Sequence, residues 1–314
     1  MTKNLKMTPI SASQFGLLIL FAVALAFALA NPYFLKPENL QNLARNAGFF
    51  SIFALAQMLS ILVRGLDLSQ GGMVGLTSVL AALLAGSIGW PGAFVVCLIF
   101  GIMFGLIQGV LIGRFGLSAF VVTLGGGSVL AGAALLISKG QTIYEVPDGY
   151  DSLGWSSLIG VPLVFVIAIA LLLIIGGLLR YTSIGREIYA TGSNPDAAYI
   201  IGIPVQRITI LCYVLCSALT VIGALILSSR ITSGSPVVGG DTALQSIAAA
   251  VVGGVSLFGG KGRAAGVFAG AIVLATLANL LNLYNVSSYW QSVLFGLVII
   301  AAVVFDKLRL SSYA

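Results

Sequence analysis

Apolar runs of about 20 residues recur along the chain, and a run of that length is what an α-helix needs to cross the hydrocarbon core of a bilayer. Alternating strand patterns are absent, so helices rather than a barrel follow. Composition agrees: of 314 residues 59% are hydrophobic and 8% charged, and the mean hydropathy is +1.10. A soluble domain carries about 25% charged residues, so a surface this apolar cannot face water. The fold class is all-α, in a polytopic membrane protein. Ten spans can be drawn, at about 14–31, 43–63, 69–88, 92–113, 117–138, 160–179, 207–229, 241–258, 264–283 and 287–305. Lys3 and Lys6 precede the first run, which lacks a convincing small-residue cleavage site and reads as a retained span.

Charge sidedness sets the orientation. With the N-terminus inside, the inner loops hold Lys3, Lys6, Arg64, Arg114, Arg180, Arg186, Arg207, Lys261, Arg263, Lys307 and Arg309, and the outer loops hold Lys36, Arg45, Lys139 and Arg230. That is 11 basic residues against 4, over loops of similar total length. Both termini are expected in the cytoplasm. Residues 1–314 then form a single transmembrane domain with a cytoplasmic loop at about 180–207. The net charge of +6 is spread singly between spans, which is not a nucleic-acid footprint.

Polar residues divide the spans. The first and sixth contain none and are expected to face lipid, with the other eight forming the interior. That spacing suggests two five-span units. Five being odd, the second would be inverted relative to the first. A short internal echo fits: Arg64, Gly71-Gly72 and Leu76-Thr77-Ser78 against Arg230, Gly239-Gly240 and Leu244-Gln245-Ser246. In the fourth span Gly101, Gly105, Gly109 and Gly113 make a smooth ridge that another helix backbone can approach closely. Gly125-Gly126-Gly127 is expected to loosen or break the fifth span.

The longest polar interruption with basic flanks runs from Arg180 to Arg207. Inside it Asn194 can cap a helix, Pro195 suits the first helical position, and Asp196 favours the positive end of the helix dipole. Ala197, Ala198, Tyr199, Ile200 and Ile201 propagate the helix, and Gly202 with Pro204 stops it. Such a helix can be an ordinary capped surface turn, or a piece built to be held by a partner.

Chemistry is sparse elsewhere. The chain has no His, which removes the commonest metal ligand and proton shuttle, and no Ser/His/Asp set can exist. Cys97, Cys212 and Cys216 lie in apolar runs without metal spacing. Gly260-Lys261-Gly262-Arg263-Ala264-Ala265 fits a dinucleotide fingerprint by spelling, but it joins two spans rather than a strand and a helix. Asp67 and Asp241 stand at span entrances, as helix caps or interfacial residues, or as a buried proton or cation site. No ionisable residue falls near a predicted midplane, so a pump built on this chain needs external energy. The loop helix at 194–202 is the place to receive it.

Asp196-Ala197-Ala198 with Gly202, followed by Ile203-Pro204, resembles the EAA-type coupling loop of binding-protein-dependent ABC importers, with Asp in place of Glu. Over nearly its whole length the chain resembles the ribose/xylose/galactoside group of sugar permeases. The matching stretches are Arg64-Gly65-Leu66-Asp67-Leu68-Ser69, Phe120-Val121-Val122-Thr123-Leu124-Gly125, the run from Ile247 to Gly262, and Leu281-Asn282-Leu283. Arg64 departs from the family's small or hydroxyl residue. The resemblance implies a permease of the bacterial cytoplasmic membrane that dimerises, takes sugar from a periplasmic or tethered binding protein, and is driven by a cytoplasmic ATPase. ATP would be bound by that partner, and this chain would hold no cofactor. The coupling residues would be Asn194, Pro195, Asp196, Ala197, Ala198, Gly202 and Pro204. Gln57, Thr123, Gln245, Asn279 and Asn282 are candidates to line the sugar path, or are structural instead. The alternative is an ATP-independent sugar channel or ion-coupled carrier.

Overall fold

The computed structural model describes residues 31–287 and 289–311; the expected first span falls almost wholly outside them. Among the described residues the helices are α1 (Pro37–Leu62), α2 (Gln70–Gly113), α3 (Ala119–Ser138), α4 (Ser152–Trp155), α5 (Leu163–Tyr181), α6 (Ser183–Ser193), α7 (Pro195–Ile200), α8 (Val205–Ile231), α9 (Thr242–Val252), α10 (Ala264–Leu283) and α11 (Tyr289–Ser311). A two-stranded antiparallel ribbon, β1 (Ser157–Leu158) and β2 (Val161–Pro162), precedes α5. Of these, six helices among the described residues (α1, α2, α3, α5, α8 and α10) are long and apolar enough to cross a membrane. The protein is a multi-pass, mostly helical membrane protein. We call the end that carries α6 and α7 the near end, and the opposite one the far end.

Two expected spans, 69–88 and 92–113, form the bent α2. Its 44 residues would reach about 66 Å if straight, twice a bilayer core. Helical geometry fails at Gly89, with φ 73°, just before Pro91. Beyond that point the halves lie side by side, Cys97 Sγ reaching the Thr77 carbonyl oxygen at 4.0 Å. The expected span at 241–258 differs. Only Thr242–Val252 is helical, 11 residues or about 16 Å. A Cβ on Gly253 would stand 2.5 Å from Val267 Cα of α10, and the chain continues to Arg263 without helix.

The glycine ridge finds its partner in α8. A Cβ on Gly105 would stand 2.7 Å from the Tyr213 carbonyl oxygen, on Gly109 2.8 Å from Ile210 Cα, and on Gly113 2.9 Å from the Gln206 carbonyl oxygen. Glycine here lets two backbones pack in contact, which in lipid substitutes for the missing hydrophobic drive between helices. The glycine triplet does not break α3, which runs unbroken through it. Gly127 instead makes room for the turn before α2, where a Cβ would stand 3.0 Å from Ser69 Cα.

Helix α5 is open to the outside as expected, Leu173 being exposed along with Ile174. Helix α3, expected inside because of Thr123 and Ser128, leaves Val121, Val129 and Leu136 exposed as well. The reason is local. Ser128 donates back to the Leu124 carbonyl of its own helix (3.1 Å) and requires no neighbour. Thr123, by contrast, is buried, its hydroxyl within reach of the Ala119 carbonyl (2.8 Å) and of the Leu66 carbonyl in the turn before α2 (3.0 Å), so only the face of α3 around Thr123 is turned inward.

The echo positions meet in space. A Cβ on Gly71 would come 2.8 Å from the Gly239 carbonyl oxygen, and one on Gly239 would land on the Gly71 carbonyl oxygen. One glycine follows a turn that enters from the near end, the other a turn that enters from the far end.

Gly105→Val is expected to lower stability by about 1–3 kcal/mol, the usual cost of overpacking. Gly132→Val, where a Cβ meets nothing within 4 Å, is expected to be neutral. Thermal midpoints of the two detergent-solubilised variants check this; equal midpoints would contradict the ridge packing.

Candidate functional site

Helix α6, which the sequence reading missed, is the platform for α7. Thr182 caps it, its hydroxyl oxygen accepting from Gly185 N–H at 3.1 Å, and Ile188 is buried on its inner face. A signal was there: a capping Thr182 with Ile184 and Ile188 four apart. Asn194, in extended conformation, separates the two helices and caps α7, its side-chain oxygen accepting from Ala197 N–H at 3.1 Å. Pro195 occupies the first turn beside Asp196. At the other end Ile203 N–H reaches the Ala198 carbonyl and Gly202 N–H the Tyr199 carbonyl, both at 3.0 Å. This paired closure needs a left-handed residue, and Gly202 supplies it at φ 86°. Ala198 is buried, whereas Tyr199, Ile200 and Ile201 are 75%, 82% and 74% exposed. Three adjacent large apolar side chains thus stand exposed at the tip of a capped helix.

The base of α7 is tied to two other segments. A Cβ on Gly192 would land on the Leu62 carbonyl oxygen and 2.5 Å from the Gly260 nitrogen. Gly260 N–H donates to that Leu62 carbonyl at 3.0 Å, and Tyr189 Oη donates to the Gly262 carbonyl at 2.8 Å. Arg64 closes the junction, its Nε donating to the Gly192 carbonyl at 2.7 Å and an Nη to the Ser193 carbonyl. The end of α1, the end of α6 and the 253–263 loop therefore meet at one point.

Asp67 lies in the turn between α1 and α2 and is fully buried. Its carboxylate accepts from the Ser69 N–H at 2.9 Å and from the Ser69 hydroxyl, a capping arrangement placed inside the protein. Burial raises its pKa, partly offset by the bonds from Ser69 and Cys216.

The five candidate path residues are scattered. Gln57 is buried beside Asp67, its amide placed to donate to the Asp67 carbonyl (3.0 Å) and accept from the Asp67 N–H (3.1 Å). Thr123 is buried and bonded to the Ala119 carbonyl. Asn279 pairs with Asn39 through bonds of 2.8 and 3.1 Å, and Asn282 accepts from Gln291 Nε2 at 3.1 Å. Gln245 lines a cavity of about 160 Å³ with Asn46, Phe49, Phe50, Phe53, Leu227, Arg230, Val238, Thr242 and Ser246. Arg230 stands over the Phe49 ring at 5.5 Å and donates to Asn46 Oδ1 at 2.9 Å. The cavity sits toward the far end. Helix α8 rises from beside α7 over 27 residues, about 40 Å, with Arg230 in its last turn. Asn46, Phe49, Phe50 and Phe53 follow the i, i+3, i+4, i+7 pattern of one helix face, a signal the sequence reading passed over.

Long apolar helices around a small cavity lined by both apolar and polar side chains, with an exposed capped helix at the opposite end, fit a membrane permease. The chain belongs to the family described as branched-chain amino acid transport system / permease component, which matches residues 39–303. It is 35% identical over 301 residues to the ribose import permease protein RbsC of Haemophilus influenzae, covering 94% of this chain and 92% of the relative. It is 34% identical over 300 residues to the L-arabinose transport system permease protein AraH of Escherichia coli (94% and 91%), and 30% identical over 299 residues to the D-allose transport system permease protein AlsC of the same organism (94% and 92%). No solved structure gives a significant match.

A raised carboxyl pKa contributes stability that is complete below the ordinary carboxylate range and is lost as pH rises through the folded-state value. The thermal midpoint in detergent is therefore expected to fall as pH rises out of the acidic range, and Asp67→Asn to flatten that slope. An unchanged slope in Asp67→Asn would show that the carboxyl is not its source.

Proposed function

We propose that the protein is the membrane-spanning permease of an ATP-driven, binding-protein-dependent importer for a monosaccharide, working by alternating access in the bacterial cytoplasmic membrane. The observation that carries this reading is the exposed tip Tyr199-Ile200-Ile201 on a helix capped at both ends. A cytoplasmic ATPase that grips it would drive the spans through Asn194, Pro195, Asp196, Ala197, Ala198, Gly202 and Pro204. Both termini lie inside, and ten membrane segments, one of them the half-length α9, form two inverted units of five. The mutual contact of Gly71 and Gly239, each at the same place in its unit, supports that arrangement. Two copies form the working transporter, and a binding protein delivers sugar at the far end.

The family's description speaks of branched-chain amino acids, whereas the relatives above are named for ribose, arabinose and allose. The cavity favours sugar. An amino acid carries both charges, but the lining offers one cation, Arg230, and no carboxylate. Asn46, Gln245, Thr242 and Ser246 supply neutral donors and acceptors for hydroxyl groups, and phenylalanine rings suit the apolar faces of a sugar ring. The volume lies below the about 300–1,000 Å³ of pockets for drug-sized ligands, which fits one ring rather than an oligosaccharide. Gln245 is then a sugar contact, whereas Gln57, Thr123, Asn279 and Asn282 position the helices around the path.

The test is uptake by vesicles holding the permease with its ATPase and binding protein, offered D-ribose, L-arabinose or D-allose. Uptake of at least one is expected to require ATP and to be abolished by Asp196→Lys and by Gly202→Pro. Gln245→Ala is expected to raise KM about tenfold, the worth of one buried hydrogen bond, with kcat unchanged. Uptake by the permease alone without ATP would favour the channel or carrier alternative and sink the importer reading.

A further inference from the structure

Arg64 occupies a position that calls for glycine. It stands one residue beyond the C-cap of α1, at φ 65°. Gly65 N–H returns to the Ser60 carbonyl and Arg64 N–H to the Ile61 carbonyl, both at 2.9 Å. That paired closure is the same as the one after α7, where Gly202 fills the equivalent position. A left-handed arginine is uncommon and strained. What the side chain does in return is visible: it crosses to the C-terminus of α6 and takes the Gly192 and Ser193 carbonyls. These are among the last carbonyls of a helix, left without partners inside it and carrying its negative dipole end. A guanidinium fork matches two such acceptors at once.

We infer that Arg64 is a positioning residue for transport, joining the base of the coupling helix to the turn that enters the membrane at Gly71. The inference rests on the coupling role proposed for α7. Only Asn194 separates Ser193 from Pro195, and Asn194 N–H is itself bonded to the Ala190 carbonyl at 3.1 Å, so there is little slack between α7 and the clamped carbonyls. On the other side Arg64 is followed by the buried Asp67–Ser69 turn and then by Gly71 against Gly239. The same guanidinium stem packs on the 253–263 loop, since a Cβ on Gly259 would stand 2.5 Å from Arg64 Cγ. A displacement of α7 thus reaches α1, α2 and the loop after α9 together.

Arg64→Gly separates this role from a merely structural one, because it removes the side chain while giving the backbone the residue it prefers. The assay is ATP hydrolysis by the reconstituted transporter, with and without its binding protein loaded with whichever of D-ribose, L-arabinose or D-allose the wild type takes up. Arg64→Gly is expected to keep or raise the thermal midpoint and to retain the ATPase subunit on purification. Stimulation by the loaded binding protein is expected to fall about tenfold, within the usual range for coupling between sites. Arg64→Lys, able to serve one carbonyl at a time, is expected to fall between. Wild-type stimulation in Arg64→Gly overturns the inference, as does loss of the ATPase subunit, which would make Arg64 a docking or folding residue. Gly202→Pro in the same assay tells the two failures apart. If it abolishes stimulation and Arg64→Gly does not, only the role of Arg64 falls. If neither has an effect, or if the wild type carries none of the three sugars, the coupling reading fails and takes this inference with it.

Discussion

A hydrocarbon interior offers no partner to a backbone N–H or C=O, and the rest of this structure follows from where the chain satisfies that demand and where it departs from helix. Within the long helices the demand is met internally. Two of the interruptions, the end of α1 and the 253–263 loop, are closed by backbone bonds from outside the regular ladder. Arg64 and Gly65 return to the end of α1, Ser256 N–H meets the Lys261 carbonyl at 3.0 Å, and Gly260 meets Leu62. Glycines allow these substitutes to come close enough, and the ridge on α2 allows α8 to press against it without intervening side chains.

The interruptions are also where the protein is least constrained to one arrangement. A straight packed helix transmits force but does not change shape, whereas a turn or half-length helix can rotate. The short α9, the turn before α2 and the bend at Gly89 are such places, and two of them meet at Gly71 and Gly239. Under the importer reading the exposed tip of α7 lies at one end of a connected path and the cavity around Gln245 at the other. The permease then performs no chemistry and works by changing which end of that path is open.

Much of the fold was legible in the sequence because its signals are local. Apolar length identifies a span, and the caps Asn194, Pro195 and Gly202 delimit α7 without reference to anything distant. The glycine ridge announced a close helix contact, though not that α8 would supply it. Signals that depend on a distant partner failed. Residues 253–258 read as the end of a span because they are apolar, yet Gly253 packs so tightly on α10 that the helix ends there. Ser128 read as an interior mark but satisfies itself on its own helix, whereas Thr123 is buried and reaches the Leu66 carbonyl of the turn before α2. Gln57 and Asn279 were named as polar residues in spans, and only the structure sets one against Asp67 and the other against Asn39. Arg64 stood out as an oddity in a familiar stretch; the carbonyls it reaches lie 128 and 129 residues away.

On the importer reading, α7, the end of α1 and the 253–263 loop move as one body when the partner ATPase closes. Electron spin labels at Tyr199 and Phe258, both exposed, measure it directly in the reconstituted transporter, with a second pair at Tyr199 and the exposed far-end Tyr144 as reference. If the three segments are one body, the 199–258 distance stays constant when ATP is trapped while the 199–144 distance shifts. A 199–258 distance that changes with nucleotide while 199–144 stays fixed would mean that α7 moves without the loop it is bonded to, and the path described here would not exist.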